Sequence, residues 1–507
     1  MKMRAFFGIV LGVATAAGAA GGEAGDFYNI VMPNGADPFV YRHDDGWYYI
    51  AQSSRGGVVL RRSRTISGLG GGESRLIWEP TPGTPFSREL WAPEVHFLRG
   101  KWYIYVAADD GDNANHRMYA LENASADPFE GAFLFKGKVA DPATDRWAID
   151  GTVLRMGSGD AERLYFVWSG WEGLANVDQR IYIAPMRDPL TIAGPRVELS
   201  RPTLAWEKAA GPPTINEGPQ PLVRDGRAFI VYSAAGSWSD SYCLGLLSLK
   251  PGAEPLDASS WRKSPEPVFA GANGVVAPGH CSFTKSPDGS QDWIAYHAAK
   301  RPGSGWSRSV RIQPFGWGED GSPAFGDPTS PDRPIPLPSG EPKRLRLEAE
   351  SARLEGSAKA AEDASCSGGS RVEGLGGARA RATLEVAAPG EGTYVVAVRY
   401  RLDGAPRNAR VGHRVLVDDR QVGVATYPDS GGERWSNAFV RVPLKAGANR
   451  LSLAPAEGRG GGGIEVDCLD VVLDPLPAGE AGVPVRPRPA AGDGSPGPSA
   501  PPSRSRG

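Results

Sequence analysis

VHFLRGKWYIYVAA (95–108) is an apolar stretch, a short polar turn ending in Gly100, and an aromatic-rich stretch. Apolar segments on both sides of a Gly-containing turn predict a β-hairpin. The same plan recurs at 39–51 (turn 43–46, then WYYIA), 152–169 (turn 157–162, then RLYFVWS), 221–235 (turn 224–226, then RAFIVYSAA) and 282–299 (turn 286–291, then DWIAYHAA). Ahead of the hairpins stand Asp37, Glu94, Asp150, Glu217 and His280, at steps of 57, 56, 67 and 63 residues. A repeat of that size with several strands per unit predicts a β-propeller, here of five blades over 27–328. Equivalent positions in successive blades then converge on the central channel.

Outward from the repeat, DPTSPDRPIPLPSGEPK (327–343) is Pro-rich, and 329–343 reads as a stiff linker. A second all-β unit is expected over 344–475. Its strands include RLRLEAE (344–350), TYVVAVRYRL (393–402), RVLVDD (414–419), NAFVRVPL (437–444), NRLSLAP (449–455) and IEVDCLDVVL (464–473). Their alternation and Gly-rich turns suggest a jelly-roll sandwich. The Pro-, Gly-, Ser- and Arg-rich segment 476–507 is expected to be disordered. At the other end, Lys2 and Arg4 precede a small apolar run, and Ala17-Gly18-Ala19 offers a cleavage site, so 1–20 reads as a signal peptide. An exported protein is the expectation.

Composition agrees with an all-β chain. The 67 Gly and 45 Pro exceed a fifth of the 507 residues, too many breakers for a helical protein. With 56 basic and 58 acidic residues, nothing in the charge calls for nucleic acid or a membrane as partner. Cys243, Cys281, Cys366 and Cys468 fall two in each unit, so Cys243–Cys281 and Cys366–Cys468 are the natural disulfides in an exported protein. Their spacing does not suggest zinc.

Asp37 lies in ADPFV (36–40), Asp150 in AIDGTV (148–153) and Glu217 in NEGPQ (216–220). Glycosidic-bond hydrolysis needs one carboxyl group to protonate the leaving oxygen and another to activate water or attack. A third nearby carboxylate raises the pKa of the acid by like-charge repulsion. Each residue alone is as well explained as a turn or cap. Their shared register directs them to one cavity, where that chemistry becomes available. The chemistry requires no cofactor.

LWAPEVHF (90–97), WAIDGTV (147–153), WSGWE (168–172), INEGPQ (215–220) and RIQPFGWGEDGSPAFGDP (311–328) resemble the arabinofuranosidase-like members of glycoside hydrolase family 43. The resemblance implies a five-bladed propeller and an inverting reaction. It implies Asp37 as general base, Glu217 as general acid, and Asp150 as the group that orients the acid and tunes its pKa. Arg308, in WSRSVRIQ (306–313), is similar to an arginine that binds the terminal sugar, with Arg311 a competitor. Trp91 resembles a pocket-wall aromatic, and core packing between blades is the alternative. Glu94 reads as structural or substrate-contacting. His280, in APGHCSF (277–283), is similar to a channel histidine that helps hold a calcium ion and its waters.

LEAE (347–350), SGGSRVEGLG (367–376), VPLKAGANRLSL (442–453) and VDCLDVVL (466–473) resemble carbohydrate-binding modules of families 6 and 35. That resemblance implies a structural calcium held by Glu348, Glu350 and Asp467, and makes Tyr427 and Trp435 candidates for stacking on sugar. The combined expectation is exo-acting release of α-L-arabinofuranosyl units from arabinan, arabinoxylan or derived oligosaccharides, with plant cell-wall carbohydrate as partner. β-Xylosidase and endo-arabinanase stand beside it in the same family. A non-catalytic polysaccharide-binding propeller is the alternative of another class, and would predict loss of a member of the trio.

Overall fold

The structure is a computed structural model that describes residues 21–54, 56–402, 411–432, 434–456 and 463–473. The signal-peptide and tail expectations, 1–20 and 476–507, lie outside the described residues.

The fold is all-β. Its first part is a succession of antiparallel meanders built from consecutive strands. Val40–Arg42, Tyr48–Ser54, Gly57–Ser63 and Glu73–Trp78 form one sheet, and Arg88–Leu98, Lys101–Asp109, Arg117–Asn123 and Leu134–Lys138 form the next. Ala148–Met156, Arg163–Gly170 and Asp178–Asp188 follow, with Thr191–Ile192 and Val197–Ser200 both paired to the last of them. Then come Thr214–Arg224, Arg227–Ala234, Cys243–Leu249 and Trp261–Lys263, joined to the preceding meander by a short parallel pairing of Asp178 with Thr214. Val276–Lys285, Asp292–Ala299, Arg308–Trp317 and Pro323–Ala324 complete the series.

The hairpins at 95–108 and 221–235 turn where the sequence places them, because their turn residues adopt the left-handed region. Arg99 and Gly100 have φ of 48° and 81°, and Asp225 and Gly226 have 51° and 73°. Two successive positive φ values match the twist of the flanking strands. Between meanders the aromatic strands bury their side chains. Trp102, Tyr105 and Trp293 are almost fully buried, and each such ring removes about 150–250 Å² from water.

The first and last meanders meet along a seam. Asn29 Nδ2 donates to Ile312 O (2.7 Å), and Ile312 N donates back to Asn29 Oδ1 (3.1 Å). Val31 N also donates to Val310 O (3.0 Å).

Residues 344–472 build two antiparallel sheets. One holds Arg344–Glu348, Lys359–Glu362, Ser370–Glu373, Gly392–Arg401, Ser436–Leu444 and Glu465–Val472, extended by the N-terminal strand Gly22–Ala24. The other holds Arg353–Glu355, Arg381–Ala388, Gly412–Val417, Arg420–Thr426 and Gly447–Pro455. They share a core that includes Leu384, Tyr394, Val396, Val415, Leu453 and Val471.

The Pro-rich segment does not stand free of the folded parts. Pro334–Pro336 pairs with Asp26–Tyr28, and Glu341 accepts from Ser67 N (3.2 Å) and pairs with Arg344 (3.4 Å). Proline suits a short edge strand of this kind, since it needs only its carbonyl. Asn437 Nδ2 reaches back to the carbonyls of Tyr28, Asn29 and Ile30 (2.9–3.1 Å).

The expected disulfides are not formed: all four cysteines are free and buried. Cys281 packs in an apolar cluster beside Leu244. Cys243, the neighbour of Leu244 in an extended strand, points to the opposite face, where Glu207 and Tyr232 lie near its thiol. Cys366 and Cys468 both lie near the Asp467 carboxylate, and burial is the first cause that pushes their thiols up.

Candidate active site

The predicted positions fall at breaks in strand pairing. Register shifts occur between Trp91 and Glu94, Ile149 and Thr152, Glu217 and Gln220, and Gly279 and Cys281. Left-handed residues accompany the breaks: Ala92 (41°), Asp150 (55°), Gly218 (54°) and His280 (42°); Asp37, ahead of its strand, has φ of 49°. A bulge re-aims a side chain that regular pleating would send elsewhere. For Asp37, Asp150 and His280 the cost of a non-glycine left-handed backbone is borne at residues that chemistry singles out.

Asp37, Asp150, Glu217, His280 and Arg308 come together. Asp37 N–H donates to His297 Nδ1 (3.0 Å). Its Oδ1 lies 3.2 Å from His280 Nδ1, 3.2 Å from His297 Nδ1 and 3.4 Å from Arg308 Nη1. Its Oδ2 takes no hydrogen bond among the described residues, and the side chain is 27% exposed. Arg308 Nη2 donates to Ser237 O (3.0 Å).

Across the site, Tyr242 OH donates to Glu217 Oε1 (2.8 Å), and Gly218 N–H donates to Asp150 Oδ2 (2.9 Å). Both carboxyl groups are buried.

The electrostatics divide the three acids. Burial alone would raise Asp37, but His280, His297 and Arg308 outweigh it and hold its carboxyl well below the usual range. Burial lowers both histidines, His297 to about 3. Near pH 7 both imidazoles are therefore neutral hydrogen-bonding groups, and Arg308 is the permanent cation beside Asp37. Glu217 is raised to about 7, first by burial and also by Asp37, against the Tyr242 hydrogen bond and Arg308. Asp150 is raised well above its ordinary value by burial, then by Glu217 and Asp37. One ionised carboxylate thus faces two carboxyl groups whose affinity for a proton burial raises.

Trp91 is half-buried, stacked on His116 at 3.9 Å between ring centroids, with its Nε1 donating to Glu89 Oε2 (3.3 Å). Glu94 is buried with His96 (2.9 Å) and accepts from Gln220, tying two first strands together. Arg311 is buried apart from the trio, with Asp332 and Arg434 as its charged neighbours.

Sequence reasoning missed His297, Tyr242 and Ser237. His297 is cross-strand from Gly279, next to His280, in a hairpin the sequence did predict. Reading across that hairpin would have found it. Tyr242 precedes its strand and packs its ring on Gly279, so no local pattern announces it. Its ring also stacks on His297 (5.7 Å, 8°), linking the two sides of the site.

In the second part, Ser367 N donates to Asp467 Oδ1 (3.0 Å) and Ser367 Oγ to Glu348 Oε2 (2.5 Å). Glu348, Asp467 and Cys468 hold ligand-type atoms within 4.8 Å of one another. Glu350 Oε2 is buried without a hydrogen-bond partner, and Gly368 approaches Glu348 and Glu350 so closely that a Cβ would collide. Arg399 pairs with Asp467. Tyr427 and Trp435 are buried, Trp435 between Arg399 and Arg401. Neither offers a free face to a sugar, which corrects that expectation.

An ionised carboxylate opposed to a protonated one is the equipment of glycosidic-bond hydrolysis. Sequence comparison gives it a lineage. The family model "Glycosyl hydrolases family 43" matches residues 28–323. An extracellular exo-α-(1→5)-L-arabinofuranosidase of Streptomyces avermitilis is 34% identical over 64% of this chain and 68% of its own length. Alpha-L-arabinofuranosidase 43 of Humicola insolens is 34% identical over 70% of this chain and 73% of its own. Among solved structures, an α-L-arabinofuranosidase from Lactobacillus brevis is 35% identical, with a TM-score of 0.54, covering 60% of this chain and 97% of that one. The protein belongs to glycosyl hydrolases family 43 and is a glycoside hydrolase.

Proposed function

We propose that the protein is an exo-acting α-L-arabinofuranosidase that inverts the anomeric centre, acting on arabinan, arabinoxylan or oligosaccharides from plant cell walls. The opposed protonation of Asp37 and Glu217 carries this reading. Asp37 Oδ2 takes a proton from water, whose oxygen attacks the anomeric carbon. Glu217 gives its proton to the departing glycosidic oxygen, so the proton count closes in a single displacement. Asp150 tunes the acid by its proximity and orients it through Gly218, the next residue in the strand. Arg308 binds the terminal sugar beside both carboxyl groups, and Trp91 forms a wall of the pocket.

The architecture proposed to hold this site is a five-bladed propeller over 27–328, followed by the connecting segment 329–343 and a jelly-roll sandwich over 344–475 akin to carbohydrate-binding modules of families 6 and 35. The succession of meanders and the two sheets around one core support it. Export to the cell exterior is part of the proposal, supported by the extracellular relatives.

Calcium is assigned unevenly. Glu348, Glu350 and Asp467 fit a hard cation: they are oxygen donors gathered about Ser367 and Gly368, and Glu350 has a buried unpartnered oxygen. A bound ion would neutralise their repulsion and brace the second domain; chelation is expected to lower its melting temperature. His280 does not fit as a direct ligand. Its Nδ1 is turned to Asp37, and imidazole is a poor match for that ion.

The test is hydrolysis of p-nitrophenyl α-L-arabinofuranoside beside p-nitrophenyl β-D-xylopyranoside, with arabinobiose as a third substrate for wild type and Glu217→Ala. Preference for the arabinoside, and loss of arabinobiose cleavage in the variant, are expected. Preference for the xyloside would move the specificity and leave the mechanism standing.

A further inference from the structure

Two indoles stand exposed beside the acid. Trp238 is 37% exposed and Trp306 42% exposed, among few large apolar side chains so open among the described residues. They lie on the loops before Cys243–Leu249 and before Arg308–Trp317. The loops are laced together. Gly303 N–H donates to both oxygens of Asp240 (2.8 and 3.0 Å), and Arg308 Nη2 donates to Ser237 O (3.0 Å). Trp306 Nε1 donates to Ser237 Oγ (3.2 Å), and the Ser237 side chain lies near enough to the Glu217 carboxyl to lower its affinity for a proton. Ser237 thus accepts from one indole and stands between it and the acid.

Both rings are fixed rather than loose. Trp306 is held at its nitrogen. Trp238 lies over Gly236, where a Cβ would come within 2.7–3.0 Å of its ring atoms, and Gly236 has φ of 72°. No residue other than glycine would leave the ring in that place. A large, fixed, amphipathic ring exposed at a wet site loses little entropy on binding and suits the apolar face of a sugar.

We propose that Trp238 and Trp306 form the subsite for the sugar on the leaving-group side of the cleaved bond. The inference rests on Glu217 being the acid. The acid must reach the glycosidic oxygen, so the departing sugar lies on the Glu217 side, where Ser237 and both indoles stand. The occupant is the penultimate sugar of an oligosaccharide, which would make this rim the determinant of preference for oligosaccharides over small glycosides.

The experiment compares kcat/KM for arabinotriose and methyl α-L-arabinofuranoside in wild type, Trp238→Ala, Trp306→Ala and Trp306→Phe. The ratio of the two is expected to fall about tenfold in each alanine variant, as for a packed aromatic at a binding surface, and to recover largely in Trp306→Phe. An unchanged ratio, or equal loss on both substrates, would overturn the subsite. Inactivity of the wild type on both would instead sink the arabinofuranosidase reading. Arabinotriose is then titrated calorimetrically into Glu217→Ala with and without each indole: weaker binding without an indole supports the subsite, and equal or absent binding overturns it.

Discussion

Asp37 and Glu217 are carboxylic acids that share Arg308 as a charged neighbour, yet their surroundings push their proton affinities in opposite directions. Asp37 gathers His280, His297 and Arg308 around one oxygen and keeps part of its surface open. Glu217 has one hydroxyl donor at 2.8 Å, deep burial, and Asp150 beside it. The polar neighbours and the access of water, rather than the residue type, sort the two roles.

The comparison breaks most sharply at Asp37. Asp37→Asn cannot accept the proton of water, and kcat should fall by about 10⁴-fold on nitrophenyl glycoside and oligosaccharide alike, the upper end for loss of a general base. Glu217→Ala should cost about 10³-fold on arabinobiose but far less on the nitrophenyl arabinoside, whose leaving group departs without a proton. Equal losses on both substrates would remove Glu217 from the acid role.

His297 sharpens the comparison. His297 holds Asp37 by accepting its backbone N–H, so in His297→Gln kcat/KM should fall by about 10–100-fold. The acid limb of the pH profile should also move to higher pH, because His297 is one of the groups that lower the Asp37 carboxyl. A loss of rate with an unmoved limb would reduce His297 to packing.

The smallest effects concern pH. Glu217 must be protonated to act, so wild-type kcat/KM should decline as pH rises through about 7. The same shift affects stability. A carboxyl raised in the folded state contributes stability that is full below its ordinary value near 4.5 and lost as pH rises through about 7. Glu217→Gln should therefore raise stability at pH 8 by about 1–3 kcal/mol relative to wild type, and much less at pH 4. Thermal melts at the two pH values check this.

Much of this was legible in sequence. The five hairpins were found because period-two alternation and Gly turns are local signals, and 227–235 and 292–299 cover the strands Arg227–Ala234 and Asp292–Ala299. The convergence of Asp37, Asp150 and Glu217 was legible because equivalent positions recur along the chain. Arg381–Ala388 was missed although it alternates, and the bulges at Asp150 and Glu217 leave no compositional mark. Tyr242 and His297 matter through contacts made in space. Tyr427 and Trp435 looked like surface aromatics because composition does not distinguish an indole between two arginines from one facing water. The cysteines misled because two thiols in one unit carry no information about which face of a strand each occupies.

The seam at Asn29 bears on how the chain reaches this state. Its amide joins Ile312, and Asn437 then secures the carbonyls of residues 28–30. The two ends of the catalytic part are brought together by a contact spanning 283 residues of chain, and the second part secures that seam by one spanning 408. On a growing polypeptide, Asp37 emerges early and waits for Arg308 and His297 before it has an environment at all. Such long-range closure slows folding and makes the competent site one of the last features to mature, so an incompletely synthesised chain would carry the acids without the surroundings that set them apart.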